Sequence, residues 1–345
     1  MAPAKFRLVA EGGRVGGGRR PGAYIGSYVL GKGFIVSPEQ AQDLIQRDSR
    51  NQDVLFPYLN GEDLNSRPDC SASRWVINFH DWPEERAREY PEVFAIVDHH
   101  VKPERLKNNR KLRRERWWQF AERAPRLYST ISGLDRVLVV ARVSKTAMPV
   151  FVPTGQVASE QTVTFATDSS AELALLSSSI HHAWAVSRAS SLKGDLRYTP
   201  SDVYETMPQP DENAEMLEAG KVLEMSQRAI MTERGIGLTG LYNLLHSSAG
   251  NDDCDIRALR EAQSAVDSSV LNGYGWRDLH FEYDLIETRQ GIRFTIPQGM
   301  KIELCDRLLE LNHALFAGGV TRNSEASHTC GPSPADVNRS EGTLF

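Results

Sequence analysis

The sequence predicts an α+β fold: a mixed α/β first part followed by a mainly helical second part. Three observations carry this. Short runs rich in β-branched residues alternate with helical patterns in the first part. The segment Met207-Pro208-Gln209-Pro210 can continue neither a helix nor a central strand, and the chain beyond it has helical composition. The chain has 345 residues, 40% hydrophobic and 25% charged, with a mean hydropathy of -0.41, which excludes disordered and collagen-like classes.

Taken in order, Gly12 to Gly22 is too rich in glycine for regular structure, so 1–23 reads as a flexible leader. Tyr24 to Val36 places β-formers between Gly26, Gly31 and Gly33 and predicts a short hairpin. Ser37-Pro38-Glu39-Gln40 then offers an N-cap serine, proline at N1 and glutamine at N3, a capping box for a helix carrying Leu44 and Ile45. A second helix start lies at Asp81 to Glu84. Ala87, Tyr90, Phe94, Val97 and Val101 follow at helical spacing, with Pro91 kinking or dividing the helix.

Strands are expected at Trp75 to Phe79, Arg136 to Val143, Met148 to Val152 and Gln161 to Phe165. Leu173, Leu176, Ile180 and Trp184 mark one amphipathic helix. Past the proline segment, 211–318 reads as a helical domain, with helices over Glu212 to Thr232, Asp255 to Ser269 and Lys301 to Phe316. The Ser-, Gly-, Pro- and Asn-rich 319–345 is expected to be a disordered tail.

No apolar run approaches the ~20 residues of a membrane helix, and no basic stretch followed by an apolar one opens the chain. Both point to a cytoplasmic protein without a membrane partner. Cys70, Cys254, Cys305 and Cys330 are too scattered for a zinc site and read as reduced thiols.

The charge is unevenly placed. From residue 200 onward there are 12 Lys and Arg against 23 Asp and Glu, a net of -11, which leaves the earlier part at +6. Lys102 to Arg126 alone holds ten basic and three acidic residues, with Trp117, Trp118 and Phe120 among them. That excess is larger than glutamates at i,i+4 could neutralise, and cations beside aromatic faces suit phosphate contact.

Motifs for other chemistries fail on inspection. Gly26 to Gly33 falls one residue short of a phosphate loop and sits in a strand-like pattern. Adjacent His99-His100 and His181-His182 point in different directions on a helix and cannot clasp one metal. No [DE]-x-K or G-x-S-x-G occurs, so neither a metal nuclease of that type nor a serine nucleophile has support. No catalytic or metal-binding residue is expected.

One ordered set of segments remains: Val54 to Asn65 (VLFPYLNGEDLN), Trp75-Val76-Ile77-Asn78-Phe79, Trp117-Trp118, Arg142-Val143-Ser144-Lys145, His181-His182-Ala183-Trp184, Tyr198, and Thr206 to Pro210. It resembles the target recognition domain of type IIG and type IIL (MmeI-like) restriction-modification enzymes and related adenine-N6 DNA methyltransferases. Gly237 to Asn243 and Tyr274 to Leu279 resemble the family's helical C-terminal region, so the resemblance spans roughly Tyr24 to Phe316. The family's F-x-G-x-G cofactor loop and NPP[YF] motif do not occur in this sequence.

The resemblance implies that 24–210 recognises double-stranded DNA for a methyltransferase of restriction or phage-defence type. The chain would be a split subunit or truncated remnant, without catalysis of its own. S-adenosylmethionine is then expected on a methyltransferase partner or a missing N-terminal domain, and no cofactor in this chain. Lys107, Arg110, Lys111, Arg113, Arg114 and Arg116 are the expected phosphate contacts. Arg142, Ser144, Lys145 and Thr146, with Asn60 and Asn65, are the candidates for reading bases.

Plainer roles compete for several of these. Arg142 could support the fold through a salt bridge, and Asn60 to Asn65 could be a turn whose Asn and Asp side chains bond their own backbone. Trp75, Trp118 and Trp184 read as core. A reading from another class makes the chain a protein-interaction subunit, its acidic half docked on a larger assembly.

Overall fold

The computed structural model describes residues 20–192, 195–248, 252–288 and 291–328. In chain order the first part holds β1 (Ala23–Ile25), β2 (Ile35–Val36), α1 (Pro38–Arg47), β3 (Leu55–Leu59), α2 (Gly61–Ser66), β4 (Arg74–Ile77) and α3 (Glu84–Ala87). Four short helices follow, α4 (Pro91–His100), α5 (Lys102–Leu106), α6 (Lys111–Glu115) and α7 (Pro125–Ile131). Then come β5 (Arg136–Ala141), β6 (Val143–Ser144), β7 (Val150–Pro153), β8 (Val157–Ala158) and β9 (Thr162–Phe165). α8 (Ser170–Ser177), α9 (Ser179–Arg188), β10 (Ser190–Leu192) and β11 (Asp195–Arg197) complete this part.

The second part holds α10 (Ala214–Arg234), α11 (Leu238–Leu245), α12 (Cys254–Tyr274), the hairpin β12 (Asp284–Thr288) and β13 (Gly291–Thr295), and α13 (Gln298–His328). The fold is α+β, as the sequence predicts. Among the described residues no helix is long and apolar enough to cross a membrane.

Local signals act as the sequence indicates. The Ser37 hydroxyl accepts from the Gln40 amide while the Gln40 side chain accepts from the Ser37 amide, which closes the capping box of α1. Pro91 divides the expected helix into α3 and α4, since its ring cannot donate or fit inside a helical turn. Long-range pairing decides the sheets. One is ordered β1-β9-β5-β7 and the other β2-β4-β3-β8, with β3 and β8 parallel.

Tyr24 to Val36 is therefore no hairpin: β1 pairs with β9 and β2 with β4, in different sheets. The single amphipathic helix expected through Leu173 and Trp184 is two, because Ser178 turns extended and caps α9 through its hydroxyl.

The leader is shorter than expected. Arg20 donates to the carbonyls of Tyr204 at 2.7 Å and Met207 at 2.5 Å, so the chain is fixed before Tyr24; 1–19 lie outside the described residues. At the other end α13 continues to His328, beyond the expected boundary at 318, since two glycines cost a helix only about 1 kcal/mol each. The rest of the expected tail, 329–345, lies outside the described residues.

Apolar packing is continuous across Met207 to Pro210. One core cluster joins Leu138, Val140 and Phe165 of the first sheet to Leu223 of α10, Val266 of α12 and Leu308 of α13. Gly220 makes this approach possible, because a Cβ there would lie 1.9 Å from the Ser170 carbonyl oxygen. A second, smaller core lies wholly in the first part, where Phe34, Val76, Phe94 and Trp117 pack between the β2-β4-β3-β8 sheet and α1 and α4. Trp118 and Trp184 are buried and Trp75 is half-buried against this second core.

Candidate nucleic-acid interface

A cleft of about 740 Å³ opens where the end of β1, the stretch from α5 to α7 and the β5 and β9 ends meet. Its cations are Arg105, Arg113, Arg116, Arg123 and Arg142; its anions are Glu122 and Glu160. Backbone bridges hold the walls together: Tyr28 pairs with Glu122, and Ser27 with Ser159.

Arg105 anchors the floor. It is 2% exposed and spends its guanidinium on three carbonyls, Nε to Leu30 at 2.9 Å and Nη2 to Val29 at 3.0 Å and Gln119 at 2.9 Å. Its Nη1 is buried with no partner. Burial, helped by the neighbouring positive Arg113, pushes its pKa down to about 10, so it stays cationic at neutral pH. Arg113 lies over the Tyr28 ring, 5.5 Å from its centroid, and 3.8 Å from Glu122.

Opposite them, Arg142 donates through Nη1 to the Glu160 carbonyl at 3.3 Å. Burial and the positive Arg197 lower its pKa, and the Glu160 carboxylate opposes them. Arg142 Nε and Glu160 Oε2 are both buried without a hydrogen-bond partner. The salt bridge that Arg142 could make is absent among the described residues, and the guanidinium bonds a backbone carbonyl instead.

Of the expected phosphate contacts, Arg113 and Arg116 line the cleft; Lys107, Arg110, Lys111 and Arg114 do not. Lys107 and Arg110 are exposed and lack an ion pair among the described residues. Lys111 lies 3.6 Å from Glu115. Arg114 braces the turn before α6, Nη1 donating to Asn108 at 2.7 Å and Asn109 at 3.2 Å.

Two expected base readers are not available for reading. Asn60 is 2% exposed, and its Oδ1 caps α2 by accepting from the Glu62 and Asp63 amides, while its Nδ2 donates to Asp63. Ser144 is 7% exposed, and its hydroxyl accepts from the Thr146 and Ala147 amides. Both positions take a short polar side chain because an orphan backbone N–H needs an acceptor. That turn leaves Lys145 exposed at its tip and Thr146 half-buried, accepting from the Met148 amide. Asn65 is half-buried in α2, where Gly237 approaches its backbone.

Sequence reasoning missed Arg105, Arg123 and Glu160 as members of one site. The charge count held the two arginines, but nothing local separates Arg105, locked to three carbonyls, from its exposed neighbours. Glu160 gives no sequence signal at all. Among the described residues one set, Asp253, Cys254 and Asp255, gathers metal-type ligand atoms within 4.8 Å. Asp253 caps α12 and both carboxylates pair with Arg234, which accounts for their clustering.

The family model of the MmeI target recognition domain matches residues 21–211. The chain is similar in structure to the type IIL restriction-modification enzyme MmeI, solved in complex with DNA, with a TM-score of 0.62 and 20% identity. It is also aligned with the type IIG restriction endonuclease BpuSI, with a TM-score of 0.30 and 16% identity over 79% of this chain. No curated protein sequence matches. The MmeI alignment covers 87% of this chain but 36% of that one, and the BpuSI alignment 32% of its chain, so this chain spans about a third of their length. The family match takes in more than half of the sequence: the chain belongs to the MmeI target recognition domain family.

Proposed function

We propose that the chain recognises double-stranded DNA sequence-specifically, as the specificity part of an adenine-N6 methyltransferase of restriction-modification or phage-defence type acting in the cytoplasm. The convergence of five arginines from separate segments in one cleft carries this reading. Like charges held this close repel one another, and a polyanion relieves that repulsion while releasing its counterions.

Arg113 and Arg116 hold backbone phosphates, with Lys107, Arg110 and Lys111 on the flank. These contacts fix register and carry no sequence information. Arg142 suits the O6 and N7 acceptors of a guanine, and Glu160 an exocyclic amino group beside it. Lys145, at the tip of its turn, extends the reading surface. The MmeI relative solved with DNA and the family membership support the same direction.

In this reading, which follows the family resemblance, S-adenosylmethionine and the methyl transfer belong to a methyltransferase domain or subunit outside this chain. An adenine must leave the stack to be methylated, and a recognition domain that grips the duplex fixes which adenine does so.

Binding of the chain to a duplex pool at two salt concentrations tests the proposal. Binding that weakens steeply with salt is the expected result. No binding at low salt would refute it and favour the protein-interaction reading.

A further inference from the structure

We propose that Leu112 is an apolar anchor that enters a groove of the bound duplex; the inference rests on the DNA reading above. Leu112 is 61% exposed, and Leu106 on the same segment is 54% exposed. Single exposed leucines are ordinary on protein surfaces. This one is different in its setting, because it lines the cleft together with Arg113 and Arg116.

Nor does Leu112 hold its helix in place. No residue of α6 is buried. The segment is fixed instead by its arginines: Arg114 on the carbonyls of Asn108 and Asn109, and Arg113 beside Glu122. The leucine is thus presented, mostly exposed, on a braced turn.

Charge selects the occupant. Leu112 shares the cleft with Arg113 and Arg116, so a duplex whose phosphates meet these cations brings a groove against the leucine. There it finds apolar partners, sugar C–H groups and base edges, in a site where water is displaced.

The test is fluorescence anisotropy of a labelled duplex pool with the full chain, its Leu112→Ala variant and its Leu112→Met variant, each at three salt concentrations. Leu112→Ala should weaken binding about tenfold and keep the wild-type dependence of affinity on salt, because the lost contact carries no charge. Leu112→Met should bind like wild type. Unchanged affinity of Leu112→Ala would overturn the proposal while leaving DNA recognition standing. A shallower salt dependence in that variant would also overturn it. Failure of the wild-type chain to bind duplex would overturn the DNA reading itself, and this inference with it.

Discussion

Arg142 and Glu160 touch through a guanidinium-to-backbone hydrogen bond of 3.3 Å, while Arg142 Nε and Glu160 Oε2 stay buried and unpartnered. Leaving such groups unpaired costs roughly 1 to 3 kcal/mol each. Both residues also line the cleft, so a ligand lying in it meets the Arg142 and Glu160 side chains together. Replacing Arg142 by Ala or Glu160 by Gln should change which base is preferred at one position by about 1 to 3 kcal/mol. Selection from randomised duplexes with each variant checks this; an unchanged preference would remove the pair from base reading.

Arg113 and Arg116 line the cleft and are proposed to hold the phosphates. Arg113→Ala and Arg116→Ala should weaken binding to all sequences alike. Each should also lower the slope of log affinity against log salt by about 1. A salt titration of the two variants reads both effects.

Arg105 is structural before it is electrostatic. Arg105→Ala would leave the carbonyls of Val29, Leu30 and Gln119 without their donor, and should destabilise the fold by about 3 kcal/mol. Thermal unfolding should show a melting temperature lower by several degrees. Arg116→Ala, at an exposed position, should melt like wild type.

The pH dependence of stability follows from three histidines, His181 buried and His182 and His246 half-buried. Burial holds His181, His182 and His246 down to about 4, from an ordinary value of 6.5. Between those values the unfolded chain binds protons that the folded chain refuses, so stability falls as pH drops from about 6.5 towards 4. Asp267 acts in the other direction: burial raises its carboxyl to about 6, so its share of stability grows as pH falls through 6. With three histidines against one aspartate, the melting temperature should be lower at pH 5 than at pH 7. Equal melting temperatures would contradict this.

Legibility in the sequence follows the range of the interaction that decides each feature. The Ser37 capping box and the break at Pro91 depend on residues three or four apart, and both are readable. The fate of Tyr24 to Val36 depends on Thr162–Phe165 and Arg74–Ile77, which no local pattern names. α11 packs on the larger core through Leu238, Leu241 and Leu245, and the β12 and β13 hairpin is tied to His246 through the Phe294 backbone, both by residues distant in sequence. At the site, net charge singles out the segment whose Arg113 and Arg116 line the cleft, because a cation excess needs no partner to be noticed. Asn60 and Ser144 mislead for a chemical reason: the side chains suited to capping a backbone amide are also suited to reading a base. Glu160 is meaningful only beside Arg142, a neighbour that the β5 and β9 pairing supplies.

The central claim, that this cleft reads DNA sequence, is tested most directly by selection. The chain is equilibrated with a randomised duplex pool at two salt concentrations, and the retained DNA is sequenced. The predicted result is one enriched motif, retained less as salt rises, and altered at one position by Glu160→Gln. Retention without an enriched motif would contradict the claim.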